Sequence, residues 1–113
     1  MSKKSLVIIV SITVILLIAL IGGSLINIEQ GNTYIEQGAI AIDDVDGDIS
    51  ANIVIGGDIV DVNTPAIYTV TYNVTDSSGN AATQVIRSVN IIADTNANDT
   101  LLRISLIFDF IFL

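Results

Sequence analysis

The densest chemistry in the chain is Asp43-Asp44-Val45-Asp46-Gly47-Asp48, four carboxylates within six residues around one glycine. Carboxylates this close repel one another, so a hard cation placed between them is favoured, and Ca2+ takes roughly six to eight oxygen ligands of this kind. An EF-hand loop is not the explanation. That pattern needs glycine where Ile49 stands and glutamate where Ile55 stands. Any cation site must therefore recruit ligands from distant sequence. The competing reading is that these acids form turns and carry solvated loop charge.

Little else has the makings of a reaction centre. The chain has no histidine and no cysteine, which removes the usual general base at neutral pH, thiolate metal sites and disulfides. From Asn27 to Ile92 its serines have no His or Lys nearby to activate them. Asp76-Ser77-Ser78-Gly79 has one residue too many for an aspartic-protease loop. These features argue against an enzyme. Between Asn27 and Ile92 nine acids face a single base, Arg87, so this stretch attracts cations and repels nucleic-acid phosphates.

Strand chemistry must position these residues. From Asn27 the composition turns to Val, Ile, Thr, Asn, Asp and Gly. Tyr68, Val70, Tyr72 and Val74 alternate with Thr69, Thr71, Asn73 and Thr75, which predicts a half-buried strand. A turn at Asp76-Ser77-Ser78-Gly79-Asn80 and a second strand over residues 83–92 complete an antiparallel hairpin. Shorter strands are predicted at 26–29, 33–35, 39–42, 53–55 and 59–62. Several short strands with regular turn signals indicate a sandwich or barrel. Pro65 suits a turn leading into the long strand.

Ahead of this region, Leu6 to Gly22 is apolar except for Ser11 and Thr13, and Lys3 and Lys4 precede it. Extended to Ile26, the run reaches the roughly 20 residues of a bilayer crossing, and the lysines predict an inside N-terminus with everything later outside. The expectation is one N-terminal transmembrane or signal helix over residues 1–25. The length favours an uncleaved anchor, while Gly22-Gly23-Ser24 offers a cleavage site. The folded part then covers 26–93. Residues 94–113 form a polar linker and an apolar tail, read as a truncated end, an interfacial segment or a strand that pairs elsewhere.

Four linked motifs make the reading more specific. Tyr34-Ile35-Glu36-Gln37-Gly38-Ala39, Asp44-Val45-Asp46-Gly47-Asp48-Ile49, Tyr68 through Ala81, and Arg87-Ser88-Val89 follow one another in an order and spacing that resembles the bacterial surface immunoglobulin-like domain family. That family includes modules found in tandem in large surface proteins and in some pesticidal crystal proteins. The resemblance implies an all-β fold, a small Ig-like antiparallel β-sandwich of about six to seven strands. It also implies a location outside the cytoplasm, membrane-anchored or secreted, and a role as a spacer or adhesion module. Other surface proteins or glycans are the expected partners, with the membrane engaged through the N-terminal helix and no nucleic acid. The rival readings are a carbohydrate- or receptor-binding module and a truncated remnant of a larger protein.

By the same resemblance, Asp44, Asp46 and Asp48 share one end of the sandwich with Asp76 and Asn80, with Glu36 as a further candidate, and these six would hold Ca2+. Two departures stand out. The family's usual first strand lies where this chain has its apolar segment, and Ala66-Ile67 replaces a Gly-Thr pair before the tyrosine strand.

Overall fold

The structure, a computed structural model, describes residues 15–94. Seven strands among the described residues form two sheets. The first sheet has the order β1-β3-β4, from β1 (Leu16–Leu20), β3 (Ala39–Asp43) and β4 (Gly47–Asp48). The second has the order β2-β7-β6-β5, from β2 (Leu25–Glu29), β7 (Val85–Ile92), β6 (Ala66–Asn73) and β5 (Val54–Gly57). All pairings are antiparallel except β2 with β7, which run parallel with Leu25 opposite Ser88 and Glu29 opposite Ile92. The all-β sandwich expected from the sequence is present.

Of the helix expected over residues 1–25, the described part from residue 15 onward is strand and turn instead. The second half of the apolar run forms β1, and the residues on to Glu29 cross to the other sheet and form β2. Residues 1–14 lie outside the described residues, and among those described no helix is long and apolar enough to cross a membrane. Leu16, Ile18 and Leu20 turn toward the core while Leu17 and Ala19 face outward. Because both faces of β1 are apolar, its period of two leaves no mark on the hydropathy pattern. A strand thus lies inside the apolar segment, ahead of Ile26, where the sequence pattern marks none.

The long hairpin follows the predicted alternation. Val70, Tyr72 and Val74 are buried, and on β7 Val89 and Ile91 join them. Val70, Tyr72, Val89 and Ile91 form one core cluster, and Ala41, Ile49 and Val74 form another, with Ile18 of β1 packed against both. Ala41 sits opposite Ile18 across the β1–β3 ladder, a small residue making room for a large one. In β3 the bulky Ile40 and Ile42 face outward.

Two predicted strands did not form. Thr33–Ile35 is irregular chain. Residues 59–62 leave the sheet because β5 ends at Gly57, where φ is +86° and a Cβ would lie 2.3 Å from the Thr69 carbonyl oxygen. The next residue, Asp58, exchanges hydrogen bonds with Thr69, its N–H donating to the Thr69 carbonyl and its carboxylate accepting from the Thr69 N–H, both at 2.8 Å. The ladder is capped there instead of continued. Of the 94–113 linker and tail, only Asp94 falls within the described residues.

Candidate functional site

Two groups of polar side chains converge in this fold. The first is built on Arg87. Strand parity puts it on the inward face of β7 between Val85 and Val89, and it is the largest fully buried side chain of the described residues, at 0% exposure. A buried guanidinium needs a counter-charge and partners for its N–H groups. Glu36 supplies the charge, accepting from Arg87 Nη1 at 2.8 Å. The remaining donors reach the backbone. Arg87 Nε donates to the Gly23 carbonyl at 3.0 Å, and Nη2 donates to the carbonyls of Ile21 and Gly38. Its guanidinium also lies 5.5 Å from the Tyr72 ring centroid.

Ile21 and Gly23 belong to the turn that carries the chain from β1 in one sheet to β2 in the other. Arg87, on the middle of the second sheet, therefore ties that sheet to the crossover and to the loop entering β3. Glu36 accepts from three further donors: Tyr34 and Tyr72 each donate a hydroxyl at 2.5 Å and the Gly38 N–H donates at 2.6 Å. Burial works against its charge, but these hydroxyls, the Gly38 N–H and Arg87 outweigh it and hold the carboxyl below its ordinary value. Burial and the neighbouring carboxylate push both tyrosine hydroxyls upward, so they remain protonated donors. The carboxylate is held ionised and the two hydroxyls are held as donors to it. The arrangement is a clasp.

The second group is the acidic rim, where the β3–β4 loop meets the β6–β7 turn. The Asp46 carboxylate accepts from Ser77, both from its N–H and from its hydroxyl, at 2.8 Å. Asp76 folds its own turn by accepting from the Ser78 N–H at 2.9 Å and from the Asn80 N–H and side-chain amide at 2.8 and 3.0 Å. The Asn80 amide and N–H hold the Asp76 carboxyl below its usual range. Three of the six residues expected at the rim, Asp46, Asp76 and Asn80, are thus brought together by direct bonds.

The other three are placed differently. Asp48 turns to Ser50, accepting from its N–H at 2.9 Å and its hydroxyl at 2.5 Å, and those bonds lower its carboxyl. Asp44 is exposed, with its N–H donating to the Ile15 carbonyl. Glu36 belongs to the Arg87 clasp. Among the described residues no group of three or more His, Cys, Asp or Glu side chains stands close enough to hold a metal ion by itself.

One rim residue was outside the expected set. Asp43 is only 3% exposed, its Oδ2 accepting from the N–H groups of Val45 and Asp46 at 2.9 and 2.7 Å. The signal for it was parity: Ala39, Ala41 and Asp43 share the inward face of β3. A shallow cavity of about 300 Å³, lined by residues including Tyr34, Glu36, Ile55 and Val70, opens beside the clasp.

The comparisons with known proteins agree with this architecture. Of the solved structures that resemble the chain, the lipoprotein BT2262 from Bacteroides thetaiotaomicron superposes with a TM-score of 0.62 at 31% identity, over 72% of this chain and 39% of that one. A structure of the M60 catalytic domain with the CBM51-1 and CBM51-2 domains from Clostridium perfringens ZmpB gives 0.56 at 25% identity, over 73% and 8%. A structure from the same protein, of CBM51-2 in complex with GlcNAc and INT domains, gives 0.55 at 26% identity, over 70% and 17%. The chain spans well under half the length of each. Comparison with curated proteins finds no significant match. Residues 18–91, from the middle of β1 to the end of β7, match the family described as bacterial surface protein, Ig-like domain, and the chain belongs to that family.

Proposed function

We propose that the chain works outside the cytoplasm as a non-catalytic structural module, spacing or presenting other parts of a surface assembly. The observation that carries this is the clasp. The one place where a base, an acid and two tyrosines converge is closed by internal bonds, and its bonds run between the two sheets and their crossover, where they resist separation. Membership of a surface-protein family and likeness to a lipoprotein support the location.

A glycan-binding role is the rival, favoured by two neighbours whose titles name CBM51 domains, one of them with GlcNAc. The cavity beside the clasp has one aromatic residue, Tyr34, and so lacks the stacked platform that sugars use. The test has two arms. An epitope placed in the Asp76–Asn80 turn is expected to be reached by antibody on intact cells, and the purified chain is expected to bind nothing on a glycan array. An epitope reached only after lysis overturns the location; saturable glycan binding overturns the spacer role.

A further inference from the structure

Asp43 Oδ1 is buried and meets no hydrogen-bond donor, alone in this respect among the buried side-chain polar atoms described. Its partner oxygen is engaged by two loop N–H groups, so the carboxylate is anchored by one oxygen and presents the other unsatisfied. Asp43 contributes to holding the Asp76 carboxyl below its usual range, so the two carboxyl groups lie within hydrogen-bond reach of each other. Asp76 is itself fixed by its turn, and Asp46, through Ser77, keeps the two loops together. Two carboxylates are thus held side by side, one of them with an unfilled buried oxygen. With both groups ionised such a pair is unfavourable unless a proton or a cation lies between them.

No side chain of the described residues supplies that charge. Arg87 is the sole base in this part of the sequence, and it is committed to Glu36. We propose that the rim binds one hard divalent cation, with Asp43 Oδ1 and the Asp76 carboxylate as its anchoring ligands and Asp46 as the residue that positions the two loops. Calcium fits best, because it accepts irregular shells completed by loop carbonyls and water, whereas magnesium demands a near-ideal octahedron. With two carboxylates the affinity belongs to the range of extracellular modules, with Kd on the order of 0.1–1 mM. This goes beyond the spacer reading, which requires no metal, and it replaces Asp44, Asp48 and Glu36 by Asp43.

The experiment is thermal unfolding and calorimetric titration of the full chain in detergent micelles, after chelator treatment, with CaCl2 and separately MgCl2. Calcium at about ten times Kd should raise the folded-to-unfolded ratio roughly elevenfold and Tm by about 6–11 °C. Magnesium should give less. Asp43→Asn retains an oxygen for the Val45 and Asp46 N–H groups and offers Asp76 an amide donor. That variant should lose the calcium response while its metal-free Tm rises. Asp76→Asn should lose the response too, which decides the matter if Asp43→Asn does not fold, and Asp44→Asn should keep it. A wild-type chain indifferent to calcium overturns the site. So does a full calcium response in Asp43→Asn or Asp76→Asn. Stabilisation by acidification alone, without any calcium effect, would show the two carboxyls sharing a proton instead.

Discussion

Replacing Glu36 by glutamine removes the counter-charge of a guanidinium that is 1% exposed, while changing the volume of the side chain very little. Glu36 accepts from four donors, namely Tyr34, Tyr72, the Gly38 N–H and Arg87. Glutamine puts an NH2 group among them, so at least one donor loses its acceptor and Arg87 keeps an uncompensated charge. Breaking a buried ion pair from one side costs about 3–5 kcal/mol. Because the Glu36 side chain is 26% exposed, water screens part of that, and about 2–3 kcal/mol is the figure to expect. In a domain of this size each kcal/mol moves Tm by about 4–8 °C, so the expected fall is roughly 8–24 °C.

The assay is thermal unfolding followed by circular dichroism, with the double variant Glu36→Gln/Arg87→Met included. Removing both charges relieves the stranded guanidinium, so the double variant should lose less than the two single losses together, by about 1–3 kcal/mol. The pH dependence has a fixed sign. Glu36 titrates lower when folded than its ordinary 4.5, so its stabilisation is complete above about 4.5 and fades as pH falls through the folded value. The glutamine variant should lack that share of the acid sensitivity and keep the share from Asp48, Asp61 and Asp76, whose carboxyls are also lowered. A Tm within about 2 °C of wild type, strict additivity in the double variant, or an unchanged acid profile would refute the clasp.

Gly57→Ala should lower stability by at least about 1–3 kcal/mol, read from the urea midpoint, because the added Cβ meets the Thr69 backbone and the positive φ disfavours any side chain. Ile18→Asp should abolish the cooperative transition, since Ile18 packs against both core clusters, whereas Leu17→Asp, one residue earlier on the outward face at 64% exposure, should cost no more than about 1 kcal/mol. Equal tolerance of aspartate at both positions would contradict the strand.

The β6–β7 hairpin was legible because polar threonines and asparagine mark one face of β6 and apolar residues the other. Asp46, Asp76 and Asn80 were grouped through the family resemblance, and in the fold the loop of Asp46 meets the Asp76–Asn80 turn through Ser77. Arg87 entered as part of a motif with no face assigned to it, and Asp43 was counted with the acidic loop beyond the predicted 39–42 strand, whereas parity with Val85 and Val89, or with Ala39 and Ala41, places each inward. Parity was available in both cases. In β3 the usual rule is also inverted, with isoleucines outside and alanines inside, because Ala41 must yield space to Ile18 across the ladder. Glu36 sits outside any strand, so no periodicity could have paired it with Arg87, 51 residues later.

The apolar run poses a problem that hydropathy alone does not resolve, since a bilayer helix and a β-strand apolar on both faces draw on the same residues. Pairing separates them. Leu16–Leu20 satisfies its backbone against Ala39–Asp43, and the Gly22 turn that follows takes φ +82°, a conformation that favours glycine. Residues in that ladder are not available to a membrane helix at the same time. Cleavage at Gly22-Gly23-Ser24 would remove β1 from the sandwich and cut the turn whose carbonyls hold Arg87. The crossover between sheets is therefore the point on which both the fold and the clasp depend.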